Sequence, residues 1–159
     1  MSKYYLSIGS NLNAIENINA ALVMLAASFG QILVSNVYKN SAIGNALVDY
    51  HNLSAAFDTP LNHSDLVAEL KVIENKLSRD RSIGRSKGVT IDLDVILRVS
   101  ISSGEVCYYT KDIVNYSFIL APLAEIAGAV CDPITKKSYQ TLWQEFDKSA
   151  HPLQRVKIN

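Results

Sequence analysis

The chain is poor in most residue types that mark a special class of protein. It has only 2 cysteines in 159 residues. Cys107 and Cys131 form no Cys-x-x-Cys spacing, so neither a disulfide framework nor a thiolate metal site is expected, and reduced thiols are. The 3 histidines, His51, His63 and His151, are scattered without helical spacing, which argues against a zinc site. Charge of one sign is missing too: 15 Lys+Arg balance 15 Asp+Glu. That balance leaves no electrostatic footprint for a long nucleic acid or an anionic membrane, and neither partner is expected. No apolar run approaches the ~20 residues of a bilayer-spanning helix. The start, "MSKYYLSIGSNL", is too short and too polar for a signal peptide, so a cytoplasmic protein is expected.

What is present is an ordinary globular composition, 48% hydrophobic and 19% charged. It suits one domain over residues 1–159 with a sizeable core. "KYYLSIGSNL" reads as a strand, Tyr4 to Ile8, closed by the turn signal Gly9-Ser10-Asn11. Ile15, Ile18, Leu22, Leu25 and Phe29 then recur at helical spacing. Asn13 is the expected N-cap, with Glu16 in a capping-box arrangement, and Gly30 closes the helix. "QILVSNVYKN" reads as a second strand and Tyr50 to Asp58 as a third. Leu66, Leu70, Ile73 and Leu77 mark the next helix, with Asn62 near its start. "SRDRSIGRSKGV" is a long polar and basic loop, and "TIDLDVILRVS" is the fourth strand.

Strand, helix, strand, strand, helix, strand is the ferredoxin-like βαββαβ order. The expected fold is therefore α+β, an antiparallel sheet with helices packed on it and a C-terminal helical extension. In that extension "ILAPLAEIAGAV" reads as a short helix broken near Pro122. "SYQTLWQEFDK" reads as a last helix burying Leu142, Trp143 and Phe146.

The chemistry concentrates at "TIDLDVIL". Strand side chains alternate, so Asp92 and Asp94 share one face while Ile91, Leu93 and Val95 face the core. Two neighbouring carboxylates repel each other unless a cation lies between them. Oxygen-only donors suit Mg²⁺, which keeps several waters and shares substrate phosphates. Just before the acids, Arg79, Arg81, Arg85 and Lys87 crowd the loop, and such cations clamp phosphate oxygens. Either the pair is a solvated acidic strand beside a solvated basic turn, or together they form a phosphoryl-transfer site. Glu74 lies one helical turn past Lys71, either as a surface pair or as part of the same site.

Several segments, in order, resemble the 6-hydroxymethyl-7,8-dihydropterin pyrophosphokinase family: "SIGSNL", "VYKNSAIGNALVDYHNLSAAFDT", "IENKLSRDR" followed by "TIDLDVIL", and "SFILAPLAEIA". The resemblance implies an ATP-dependent pyrophosphokinase of folate biosynthesis acting on small molecules, as a monomer or weak homodimer. It implies two Mg²⁺ ions on Asp92 and Asp94, with ATP as co-substrate. It implies a pterin ring between Tyr50 and Phe118, with Asn52 on its edge and Ile43 and Gly44 in the loop beside it. It implies nucleotide contacts around Lys71 and Glu74, and a catalytic loop carrying Arg79, Arg81, Arg85 and Lys87. The chain departs from the family pattern at Ser86 in place of Trp, at Val89 in place of an arginine, at Asn40 in place of Thr, and at Tyr116 in place of the Arg before the last motif. These departures leave a second reading open: a relative that binds a pterin-like heterocycle with weak, altered or no transfer activity.

Overall fold

The computed structural model describes residues 1–40, 49–77, 88–149 and 152–157. The elements run β1 (Ser2–Ser10), α1 (Ala14–Phe29), β2 (Leu33–Val34), β3 (Val37–Asn40), β4 (Tyr50–Thr59), α2 (His63–Lys76), β5 (Asp92–Ser100) and β6 (Val106–Tyr108). A 3-10 turn (Lys111–Val114), α3 (Ser117–Ala127), α4 (Tyr139–Glu145) and β7 (Gln154–Val156) follow. The sheet has the order β6-β5-β1-β4-β3-β7, with β2 also paired to β4. All the recorded pairings are antiparallel. The inner four strands, β5-β1-β4-β3, reproduce the expected ferredoxin-like arrangement.

Alternation along the strands separates two cores. Tyr4, Leu6 and Ile8 of β1, Leu53, Ala55 and Phe57 of β4, and Ile91, Leu93 and Val95 pack under Ile18, Ala21 and Leu25 of α1 and Leu66, Leu70 and Ile73 of α2. On the opposite face Tyr5, Ala56, Ile96 and Leu97 meet Leu120, Leu123 and Ala127 of α3 and Tyr139 of α4. Each fully buried aliphatic side chain contributes roughly 1.5–3 kcal/mol. The pairing of β1 with β5 slips by one residue between Tyr5 and Leu6, where Leu97 and Val95 are the partners. The extra residue of this bulge is Ile96. It lets Ile96 and Leu97 both serve the α3 face, although the acids upstream already occupy that face.

Several local expectations need correction. The "QILVSNVYKN" strand is split in two. Ser35 Oγ accepts from Ser54 N at 2.8 Å and donates to the Asn36 carbonyl, which bends the chain there. Asn13 is the N-cap, but it adopts a left-handed conformation (φ 45) and its side chain makes no cap bond. Asn is among the few residues that tolerate that conformation. Asn62 does cap α2, accepting from Asp65 N at 2.9 Å. α3 is not broken at Pro122, which lies buried as its sixth residue. Only the bond to the Phe118 carbonyl is lost, close to the end where the first four N–H groups lack helical partners anyway. The C-terminal extension is not wholly helical, since β6 and β7 extend the sheet at its two edges. Tyr139 is the buried anchor of α4, while Leu142, Trp143 and Phe146 are only half-buried against the same cluster.

Candidate active site

The two acids begin β5, where strand order brings four strand ends together. Gly9 of β1 pairs with Asp92 on one side and with Asn52 on the other, and Asn52 pairs with Tyr38. Directly paired residues share a face, so Asp92, Gly9, Asn52 and Tyr38 form one row across the sheet. Asp94 and Ser54 flank Ser7 in the next row. Asn40 and Tyr50 are paired beyond Asn52, on the same face. Asp92 is 8% exposed, whereas Asp94 is open to solvent.

Gly9 is the floor of this row. A Cβ there would lie 2.9 Å from Asn52 Oδ1 and 3.8 Å from the Tyr50 ring. Only a residue without a side chain lets the Asn52 carboxamide lie over the strand. Asn52 is 6% exposed, and its Nδ2 donates a short hydrogen bond to Asn40 Oδ1. Among the described residues, the Tyr50 hydroxyl is buried without a hydrogen-bond partner. A buried hydroxyl in that state is a feature that a ligand can satisfy.

Just upstream of the acids the chain is fastened to the β1–α1 turn. Asn11 N donates to the Val89 carbonyl at 3.0 Å, and Val89 N donates to Asn11 Oδ1 at 2.6 Å. Ser10 Oγ donates to the Thr90 carbonyl at 2.5 Å. Ser10, Asn11 and Val89 are all buried. Gly88 enters this latch at φ 105, a backbone conformation that strains any residue with a side chain. Val89, at the arginine position of the resemblance, therefore serves as an anchor: its side chain is buried and both its backbone groups are bonded to Asn11.

α3 covers the same face. Phe118, in its first turn, is half-buried and stacks on Tyr116 with ring centroids 5.2 Å apart. Further along α3, Glu125 gathers Asn36 N at 2.8 Å, the Asn36 amide, the Tyr38 hydroxyl and Arg155 at 3.8 Å. Burial and then the bond to Glu125 push the Tyr38 hydroxyl up to about 12, so it remains a donor. This carboxylate ties α3 to β3 and β7. Lys71 and Glu74 stand on α2, which packs against the other face of the sheet. Glu74 is buried and Lys71 exposed, so the two do not share surroundings.

The structure thus brings Tyr50, Asn52, Asp92 and Asp94 to one end of one face, with Phe118 on the helix above it. Ile43, Gly44, Arg79, Arg81, Arg85 and Lys87 lie outside the described residues. Sequence reasoning took Gly9, Ser10 and Asn11 only as a turn, and missed the linking roles of Asn40 and Glu125. The Gly-Ser-Asn run was the available signal, and nothing in the pattern pointed to Glu125. Among the described residues no group of three or more His, Cys, Asp and Glu converges. Two carboxylates with oxygen-only donors fit a hard divalent cation that takes its remaining ligands from water and phosphate.

A family model described as 7,8-dihydro-6-hydroxymethylpterin-pyrophosphokinase (HPPK) matches residues 5–128. A 2-amino-4-hydroxy-6-hydroxymethyldihydropteridine pyrophosphokinase of Haemophilus influenzae is 34% identical over 135 residues, covering 81% of this chain and 84% of that protein. A protein of the same name from Synechocystis sp. is 28% identical over 155 residues, 90% of this chain and 75% of its own. The solved structure described as "Crystal Structure Analysis of the HPPK-DHPS in complex with substrates" superposes with a TM-score of 0.69 at 12% identity. The alignment covers 94% of this chain but only 44% of that longer chain, and the likeness is one of fold.

Proposed function

The chain belongs to the 7,8-dihydro-6-hydroxymethylpterin-pyrophosphokinase family, and from that premise we propose that it transfers pyrophosphate from ATP to the hydroxymethyl group of 6-hydroxymethyl-7,8-dihydropterin. The observation that carries this reading is the row Asp92–Gly9–Asn52, which sets a carboxylate and a ring-recognising amide side by side across one glycine. The ring stacks between Tyr50 and Phe118, which supply flat apolar area. The Asn52 carboxamide pairs with its polar edge and fixes its direction. The Ser10–Asn11 latch fixes the start of β5 and hence the position of Asp92.

The hydroxymethyl oxygen attacks the β-phosphorus of ATP. A new O–P bond forms, the bond from that phosphorus to the α–β bridging oxygen breaks, AMP leaves, and the hydroxyl proton passes to solvent. Asp92 and Asp94 would hold Mg²⁺, which when bound neutralises charge on the phosphate oxygens. The cations of 79–87 are suited to bind the same oxygens.

The test is AMP formation from ATP and the pterin with Mg²⁺ present. Wild type is expected to release AMP rather than ADP. Asp92→Asn is expected to lower turnover on the order of 10²-fold or more while its circular dichroism stays unchanged. No AMP from wild type at any pterin concentration would refute the reading. The buried Val89 favours one alternative, because an arginine is missing from its place: a protein that holds the heterocycle without transfer. Calorimetry separates the two, since that alternative expects pterin affinity indifferent to Mg-ATP.

A further inference from the structure

We propose that Glu125 is a positioning residue that sets how closely α3 lies on the sheet, and with it the gap between Tyr50 and Phe118. The core holds α3 there through Leu120, Leu123 and Ala127. Apolar burial of this kind is non-directional, so it keeps the helix near the sheet without fixing its slide or rotation. Hydrogen bonds are directional and supply what packing leaves open. Both oxygens of the Glu125 carboxylate are engaged. Oε2 accepts from Asn36 N at 2.8 Å and Oε1 accepts from the Tyr38 hydroxyl. The Asn36 amide reaches both, at 3.2 Å to Oε1 and 3.1 Å to Oε2. Bonds to an ionised acceptor are the stronger kind. Arg155, the strand partner of Tyr38 on β7, adds an ion pair at 3.8 Å, but its side chain is 64% exposed and the pair contributes little.

Two features connect this carboxylate to the ring site, although it lies well away from it. Phe118 and Glu125 are both on α3, seven residues apart. That spacing is close to two helical turns, so they share a face and stand about 10 Å apart along the axis. Tyr38 is the strand partner of Asn52, at the end of the row that runs from Asp92 through Gly9. The bond from Tyr38 to Glu125 therefore joins the floor of the site to the helix that carries Phe118. A flat ring gains its stacking energy only at close contact, and an opening of roughly 0.5–1 Å forfeits about a quarter to a half of it. A small rise of α3 thus weakens the hold on the ring while the acids on β5 stay where they are. This role rests on the pterin reading above. It requires an acceptor oxygen at position 125, which an aliphatic side chain does not supply.

The experiment compares wild type, Glu125→Ala, Glu125→Gln, Tyr38→Phe and the double variant Glu125→Ala/Tyr38→Phe. Initial rates are taken with the pterin varied at saturating ATP and with ATP varied at saturating pterin. Calorimetry measures the pterin Kd with Mg²⁺ and α,β-methylene-ATP, whose α–β bridge cannot break, and melts record stability. Glu125→Ala is expected to raise the KM and the Kd for the pterin by about 3- to 10-fold. Turnover and the KM for ATP are expected to change by less than twofold. Glu125→Gln keeps an acceptor oxygen and should fall between wild type and Glu125→Ala. Tyr38→Phe should raise the pterin Kd by about two- to threefold, and adding it to Glu125→Ala should cost nothing more, because the hydroxyl has already lost its acceptor. A pterin Kd that stays native in Glu125→Ala while the melting temperature falls overturns the proposal, since the carboxylate then only stabilises the fold. Losses that multiply in the double variant overturn it too. If Glu125→Ala does not fold, the Kd values of Glu125→Gln and Tyr38→Phe decide in its place. If wild type makes no AMP but binds the pterin, transfer is refuted and the calorimetric ratios still decide the role of Glu125. If wild type does not bind the pterin at all, both proposals fall.

Discussion

Replacing Asn11 by Ala probes the latch that precedes the acids. In the native protein Asn11 Oδ1 accepts from Val89 N at 2.6 Å, and both residues are 5% exposed. Alanine removes the acceptor, so the Val89 N–H becomes a buried donor that has lost its protein partner. Such an orphan destabilises by about 1–3 kcal/mol. For a domain of this size each kcal/mol moves the melting temperature by roughly 2–4 °C, so a fall of about 2–12 °C is expected. The bond from Asn11 N to the Val89 carbonyl is backbone to backbone and survives, which keeps the effect local. Two assays check it: a thermal melt by circular dichroism, and hydrogen exchange at the Val89 amide, which should accelerate more than the amides of central β1. Asn11→Asp keeps an acceptor oxygen and should lose less than Asn11→Ala. A melting temperature within 1 °C of wild type, together with unchanged exchange at Val89, would refute the argument that this side chain holds the start of β5.

Two further outcomes are expected. Gly9→Ala drives a methyl against Asn52 Oδ1 and so displaces the carboxamide. Pterin affinity should fall at least about tenfold while the fold survives, and calorimetry showing native affinity would contradict the close packing of this row. His63 is held below its ordinary value of 6.5, first by burial and then by the Arg98 guanidinium, and burial followed by Lys39 lowers His51 as well. The unfolded chain therefore binds more protons just below pH 6.5, and stability falls as pH drops through that window but is untouched above it. His63→Phe keeps the ring stacked on Tyr109, now 3.9 Å between centroids, and should flatten part of that decline in urea midpoints; an unchanged slope would count against it.

The sheet was legible because its signal is periodic. Tyr4, Leu6 and Ile8 of β1, Leu53, Ala55 and Phe57 of β4, Ile18 and Leu25 of α1 and Leu66, Leu70 and Ile73 of α2 all point into one core. The acids were legible because two charges interrupt an apolar strand. The bulge in β5 was not, since "DVILRV" carries apolar residues at four of its six positions and no alternation marks where the register slips. β6 and β7 escaped notice because three-residue edge strands owe their form to the neighbour they pair with rather than to their own pattern. Asn40 and Asn52 are 12 residues apart in sequence, and only the pairing of β3 with β4 makes them partners. Links of that kind arise from register, which a linear reading does not contain.

The extra residue in β5 also sorts charge. Uninterrupted alternation would set Arg98, the only cation of this strand, in line with Asp92 and Asp94. A guanidinium there would act as a built-in counter-ion and compete with any metal for the two carboxylates. With Ile96 inserted, Arg98 turns to the other side of the sheet, pairs across from Tyr4 and Cys107, and reaches Cys107 Sγ at 3.3 Å. One slipped residue thus turns the single cation of this strand away from the face that carries Asp92 and Asp94.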